Sequence, residues 1–415
     1  MAAAQPAPLT FRQVLGIGPM RRLWYAQIIS LLGDFVAVFA ILSVASFRFR
    51  ATATEMTWIS ICYMLPTAVL GPVSGVFVDR WPVKRTMIIS DLLRAVLASA
   101  LLFVTETVHF YPILFGIGLL STLFGPAQGV AIRSLVPAHG LLAANTLMQQ
   151  VFFIMRIAGP GVAGLMVSNF GAQSCYVADV LSFLASAALI APLVIVRPAA
   201  PNAQLSEAHA KAEGLHRVWL DMRAGFQFIL HHATLLFVVA ALGAATFAIG
   251  CFAPLIAVYV RDVLHKETGL FTAANAAIGV GLVGGASTVR PLAAKFSAAT
   301  FVFSGQGLLL VAVLLLGLTG SPVLTVLACL LTGVSIACVM IPSQTLIQSE
   351  TPPELLGRVG STVMSVAFAS QVVGLLLSGV LEHWVGIRNV FLLIAGLLTL
   401  QVAAGAGYRR SGRMA

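Results

Sequence analysis

Apolar runs of about twenty residues, separated by short polar stretches, recur along the whole of this chain. That pattern leaves few folds open. A bilayer core about 30 Å thick takes roughly 20 apolar helical residues to cross, and within it backbone polar groups must be paired inside the helix itself. Twelve such segments can be marked, centred near residues 34, 67, 96, 120, 154 and 185, then 247, 280, 308, 334, 369 and 396. Composition supports a lipid solvent. Charged residues make up only 9% of the chain and hydrophobic ones 59%, whereas a soluble domain is roughly 25% charged. Nine per cent cannot clothe a globule of 415 residues in hydrated surface.

The start, MAAAQPAPLTFRQVLGIGPMRR, has no apolar core of a signal peptide, so the first run is expected to remain as a span. With twelve spans both termini share one side, and the basic residues say which. Placing the N-terminus in the cytoplasm puts seventeen Lys and Arg on inner segments and five (Arg48, Arg50, Arg261, Lys266 and Arg388) on outer ones, with Arg94 and Arg156 inside spans. The excess of inner cations predicts cytoplasmic termini. The net charge of +10 is spread singly between apolar runs, which argues against nucleic acid as a partner. The five cysteines lie scattered in apolar runs and suggest neither a metal site nor a disulfide frame.

The longest polar stretch begins at Arg197 and divides the chain into an N-terminal bundle (1–196), a linker (197–230) and a C-terminal bundle (231–415). From Ser206 the linker reads as an amphipathic surface helix, with Leu215, Val218, Trp219 and Met222 on one face. The halves also repeat. Pro126 and Gln128 return as Pro342 and Gln344, and Pro137 as Pro353; after a one-residue slip Gly164 returns as Gly379 and Gly171 as Gly386. Duplicated six-span halves are an architecture of secondary transporters.

Charge is densest in GVFVDRWPVKR, between the second and third spans, where Asp79, Arg80, Lys84 and Arg85 fall within seven residues. Gly75-x-x-x-Asp79-Arg80-x-x-x-Lys84-Arg85 resembles the loop signature of the major facilitator superfamily. Gly159-Pro160-Gly161-Val162-Ala163-Gly164, in span five, resembles an element of its proton-driven drug antiporters. LLGD around Asp34, FGPAQG around Pro126, ADVLSF around Asp179 and QSETPPELLGRVGS are similar to the branch holding macrolide and enterobactin exporters. There are departures: Pro82 stands where the family usually has Gly, the matching loop of the second half has lost its acid, and span four lacks the Arg of many drug antiporters. The resemblance implies an all-α membrane protein of two six-helix bundles. It also implies that Asp79 faces the start of span eleven, where a helix N-terminus attracts a carboxylate. Gly75, Asp79, Arg80, Lys84 and Arg85, joined by Asp91 and Arg94 further into span three, would then latch the halves on the inner side.

Two charges stand deep in the membrane. Asp34 lies about twelve residues into span one and Arg156 about sixteen into span five. Intramembrane charges are costly and mark functional sites, so Asp34 is expected to exchange protons or bind substrate with Arg156 as its partner. Matching Leu32-Gly33 to Leu242-Gly243 sets Ala244 opposite Asp34 in the second half, and Gln371 is the counterpart of Arg156. Asp91 and Arg94, at i and i+3, are expected to pair. Asp179 reads as a hydrated or helix-capping acid near the outer end of span six. Gly159, Pro160 and Gly164 suit a helix that bends or packs closely, and Gln149 and Gln371 are candidates to line a polar cavity.

Together these features predict a monomeric, proton-coupled exporter of amphipathic or cationic organic molecules. Its partners would be protons, a small organic substrate and the bilayer, with no cofactor and no metal. No Walker loop appears for ATP. A dedicated exporter of a siderophore, metabolite or lysolipid is the alternative. An intramembrane enzyme or a non-transporting sensor is remoter, since the His residues fall in loops or at span ends and no segment is long enough for an output domain.

Overall fold

The computed structural model describes residues 9–78, 81–195, 225–292, 295–352 and 355–410, and these residues are overwhelmingly helical. A short α1 (Phe11–Gly16) is closed by Thr10, whose hydroxyl and backbone exchange hydrogen bonds with Gln13. The long helices follow: α2 (Gly18–Ser43), α3 (Ala53–Val78), α4 (Val83–Ala100), α5 (Phe110–Leu135), α6 (Leu141–Phe170) and α7 (Ala172–Ile190). After helical residues 225–231 (α8) come α9 (Ala233–Val258), α10 (Thr268–Leu292), α11 (Ala298–Leu318), α12 (Pro322–Glu350), α13 (Leu356–Val385) and α14 (Ile387–Arg410). Each of the twelve expected centres falls inside one of these long helices. Among the described residues, nine helices are long and apolar enough to cross a membrane by length and composition, and Ile387–Ala403 is a shorter apolar helix. The linker helix expected from Ser206 falls on 196–224, outside the described residues.

The chain divides into two compact units, Met1–Ala51 with Trp58–Ala199, and Thr52–Thr57 with Ala200–Ala415. In the first, α2 packs on α6 and α7, and α4 packs on α5 and α7. In the second, α9 packs on α13 and α14, and α11 packs on α12 and α14. These are the same pairings, and the backbone repeats them in detail. The π-helical turn Val44–Arg48 after α2 returns as Tyr259–Val263 after α9, 215 residues on (44 and 259). Each is followed by a residue in the left-handed region, Arg50 (φ 56°) and His265 (φ 49°). Gly171 (φ 78°) joins α6 to α7 as Gly386 (φ 79°) joins α13 to α14, again 215 apart. The close approach of Gly118 on α5 to the Tyr63 carbonyl on α3 returns as Gly333 on α12 against the Ile278 carbonyl on α10. A β-carbon at either glycine would collide with main chain, which is why the smallest residue stands at both crossings.

One helix shows the lipid solvent plainly. On α4 the residues facing the protein are Thr86, Met87, Ser90, Asp91, Arg94 and Ala98, whereas Ile89, Leu92, Leu93 and Val96 are exposed. A water-soluble helix turns its charges outward. Here the polar side is buried and a band of branched aliphatic side chains is offered outward, as a surrounding of hydrocarbon demands.

Candidate functional site

Four ionisable side chains from three helices of the first unit meet in its interior. Arg94 on α4 forms an ion pair with Asp91 one turn earlier on the same helix, and its Nη1 lies 4.0 Å from Oδ2 of Asp34 on α2. The Ser186 hydroxyl of α7 donates to the second oxygen of Asp91 at 2.7 Å. Asp179 stands two turns earlier on α7, buried; the Ser182 hydroxyl lies 3.5 Å from its Oδ1 and donates mainly to the Asp179 backbone carbonyl at 2.7 Å.

The helices bring these groups together for identifiable reasons. Asp179, Ser182, Phe183 and Ser186 recur at i, i+3, i+4 and i+7, one stripe of α7, and all four are buried. Asp91 and Arg94 occupy the corresponding stripe of α4. Gly33 lets α2 reach α7: a β-carbon there would stand 2.8 Å from Oδ1 of Asp179 and 2.7 Å from Cβ of Ser182. The Arg94 guanidinium is held between two rings, 4.5 Å from the centre of Phe183 and 4.8 Å from that of Phe124 on α5. Each such contact is worth up to about 2 kcal/mol when desolvated. Its Nε has no hydrogen-bond partner among the described residues, so aromatic faces and carboxylates together carry the charge. The Tyr63 side chain of α3 is within electrostatic reach of Asp34, Arg94 and Asp179.

Three carboxyls stand around one guanidinium, which forms ion pairs with two of them. With every carboxyl ionised the cluster would carry a formal charge of −2 away from water, and low dielectric makes that costly. Asp91 is committed to Arg94 and Ser186 and its side chain has no accessible surface, whereas the Asp34 side chain keeps 14%. The arrangement is therefore chemically suited to take up and release protons at its accessible end.

The structure redistributes several expectations. Among the described residues the cation beside Asp34 is Arg94; Arg156, expected in that place, has its side chain outside them. Asp91 and Arg94 do form the expected i, i+3 pair. Eight residues of helix from Val83 carry Asp91 about 12 Å along the axis, where it is buried beside Arg94 and Ser186. Lys84 is half-buried and Arg85 exposed at the start of α4; Asp79 and Arg80 lie outside the described residues, as do the surroundings of Gly75 near the end of α3. Asp179 is neither hydrated nor a cap, since it lies seven residues into α7 and faces α2. The counterpart of Asp34 is Ile249 rather than Ala244, because the matching turns after α2 and α9 fix the count at 215. By that count Asp179 matches Ile394 and Arg94 matches Leu309. Asp91 matches Gln306, which is buried and donates to the Ala241 carbonyl at 2.6 Å. Among the described residues, these four charged positions of the first unit have no charged counterpart in the second.

Of the other candidates, Gly159 on α6 abuts Cβ of Phe35 on α2, consistent with close packing, and Pro160 sits within α6 as does Gly164. Gln149 is exposed and Gln371 half-buried, its carbonyl against Gly250. The residues that sequence reasoning missed are Gly33, Phe124, Phe183, Ser182 and Ser186. The stripe of small polar residues around Asp179 was the available signal.

A chain of long apolar helices in two repeated units, with a buried ionic cluster in the first, has the build of a secondary transporter. A family model described as Major Facilitator Superfamily matches residues 23–374 and 291–410, so the chain belongs to that family and is a multi-pass membrane transporter rather than an enzyme. It is 26% identical to an uncharacterized MFS-type transporter, YfiS, of Bacillus subtilis, over 90% of this chain and 89% of the relative. It is 25% identical to the multidrug efflux pump Tap of Mycolicibacterium fortuitum (93% and 95% covered) and 26% to macrolide efflux protein A of Streptococcus pyogenes (92% and 93%). Among solved structures it resembles in fold a bacterial homologue of the iron transporter ferroportin (TM-score 0.70, 10% identity, 94% and 98% covered). A bacterial homolog of the human lysosomal transporter Spinster, in an inward-facing and unoccupied conformation, is similar to the same degree (TM-score 0.69, 10% identity, 94% and 96% covered).

Proposed function

We propose that this chain is a proton-coupled exporter of amphipathic or cationic organic compounds, acting as a monomer by alternating access in a bacterial cytoplasmic membrane. It crosses twelve times with both termini inside. The observation that carries the reading is the ionic cluster: three acids and one guanidinium, with Asp34 as the member that keeps accessible surface. A proton bound at Asp34 cancels the charge that Arg94 otherwise attracts, and its release restores that attraction. Occupancy by one proton thus changes the force between α2 and α4, and a difference of ~2–3 kcal/mol shifts a two-state equilibrium roughly 30- to 150-fold. The named activities of the efflux relatives support the substrate class. Arg94 supplies, from the third span, a buried cation where span four has none. The loop Gly75–Arg85 acts as the inner latch, and Arg156 and Gln149 of the first unit contact substrate.

The test is transport in inverted membrane vesicles, with a panel of cationic dyes, macrolides and catecholates. Accumulation of at least one compound, abolished by a protonophore and by Asp34→Asn, is expected. Accumulation that survives the protonophore overturns the coupling, and full activity in Asp34→Asn overturns the assignment of the site.

A further inference from the structure

Asp179 is unused by the exchange at Asp34, yet nothing about its setting is idle. It is 2% exposed in the middle of an apolar helix. The groups facing it are the Ser182 hydroxyl on α7, Asp34 and the Gly33 backbone on α2, Arg94 on α4 and Tyr63 on α3. Of these only Arg94 is a cation, and its ion-pair contacts go to Asp91 and Asp34, with none within 4.0 Å of Asp179 among the described residues. One positive charge is thus already shared by two acids, and the third acid has a neighbouring carboxyl and a weakly placed hydroxyl.

We infer that Asp179 is a second proton-carrying site, so that the loaded cluster holds two protons, one on Asp34 and one on Asp179. The inference deepens the proton-coupled reading and rests on it for its role in transport. The charge count is simple. With Asp91 ionised against Arg94, protonated Asp34 and Asp179 make the cluster neutral. Ionising one of them leaves −1 within reach of Arg94, and ionising both leaves −2, the state that burial disfavours most. Loading and release therefore proceed in two macroscopic steps belonging to the pair. Ser182 is placed to exchange its donor between the Asp179 carbonyl and carboxyl as the proton leaves.

The experiment is infrared spectroscopy of the purified full-length protein in detergent across a pH series, following the C=O stretch of protonated carboxyls. Besides the bands of exposed acids, two bands at the higher frequency of carboxyls shielded from water are expected to rise as pH falls in the parent protein. Asp179→Asn removes one, Asp34→Asn removes the other, and Asp91→Asn removes neither. Ser182→Ala, which keeps the acid, shifts the Asp179 band without deleting it and guards against a folding defect in Asp179→Asn. A spectrum unchanged by Asp179→Asn, or an Asp179 band that does not vary with pH, overturns the inference and leaves single-proton exchange at Asp34 standing. A parent protein with no titrating band from shielded carboxyls overturns both readings.

Discussion

Gly33 of α2 lies against Ser182 of α7 so closely that no β-carbon fits between the two helices. The contact sets the depth at which Asp34, the next residue, meets the acids and the guanidinium of α4 and α7. Gly33→Ala forces Ser182 and Asp179 to move, and overpacking of this kind costs about 1–3 kcal/mol. The expected result is a lower melting temperature with a larger fall in transport than in expression. A variant as stable and as active as the parent would remove Gly33 from its place in the site.

Arg94 neutralises Asp91, which has no accessible surface. Arg94→Met leaves that carboxylate uncompensated, a change worth about 3–5 kcal/mol when a buried pair is broken from one side. Arg94→Met combined with Asp91→Asn removes both charges and is expected to recover most of the loss. Thermal unfolding of Arg94→Met, Asp91→Asn and the double variant measures the coupling directly. Additive losses would mean that the two residues act independently.

Asp34→Asn keeps the shape of the side chain and removes its exchangeable proton. Transport driven by a proton gradient is expected to disappear while the melting curve stays near that of the parent. Substrate binding measured without a gradient separates loss of coupling from loss of the binding site.

Gly171 and Gly386 hold φ 78° with ψ 163° and φ 79° with ψ 156°, a conformation open to glycine and strained for other residues. Alanine at either position is expected to cost about 1–3 kcal/mol, by a similar amount at both because the two turns are alike. Comparison of the two single variants by thermal unfolding tests that equivalence. A loss at one turn and none at the other would show that the repeat has diverged in its energetics.

Much of this protein was legible in its residues. Hydropathy is local and adds up segment by segment, so each long helix could be placed from its own composition, and the recurrence of Gly171 as Gly386 marked the repeat before any backbone was seen. The pairing of Asp91 with Arg94 was equally local, since one helical turn sets both residues on one side. The match of Leu32-Gly33 to Leu242-Gly243 misled, because short apolar words recur by chance in membrane helices.

What tertiary structure alone decided was the company each buried charge keeps. Most helices in lipid are apolar both where they pack and where they meet hydrocarbon, α4 with its buried polar side being an exception, so their sequences give little warning of how they are turned about their axes. Asp34 met Arg94, and Asp179 proved buried against α2, because the rotation of α2, α4 and α7 is set by packing at Gly33, Ser182 and the rings of Phe124 and Phe183. Those contacts join residues up to about 150 positions apart, and no window along the chain contains them.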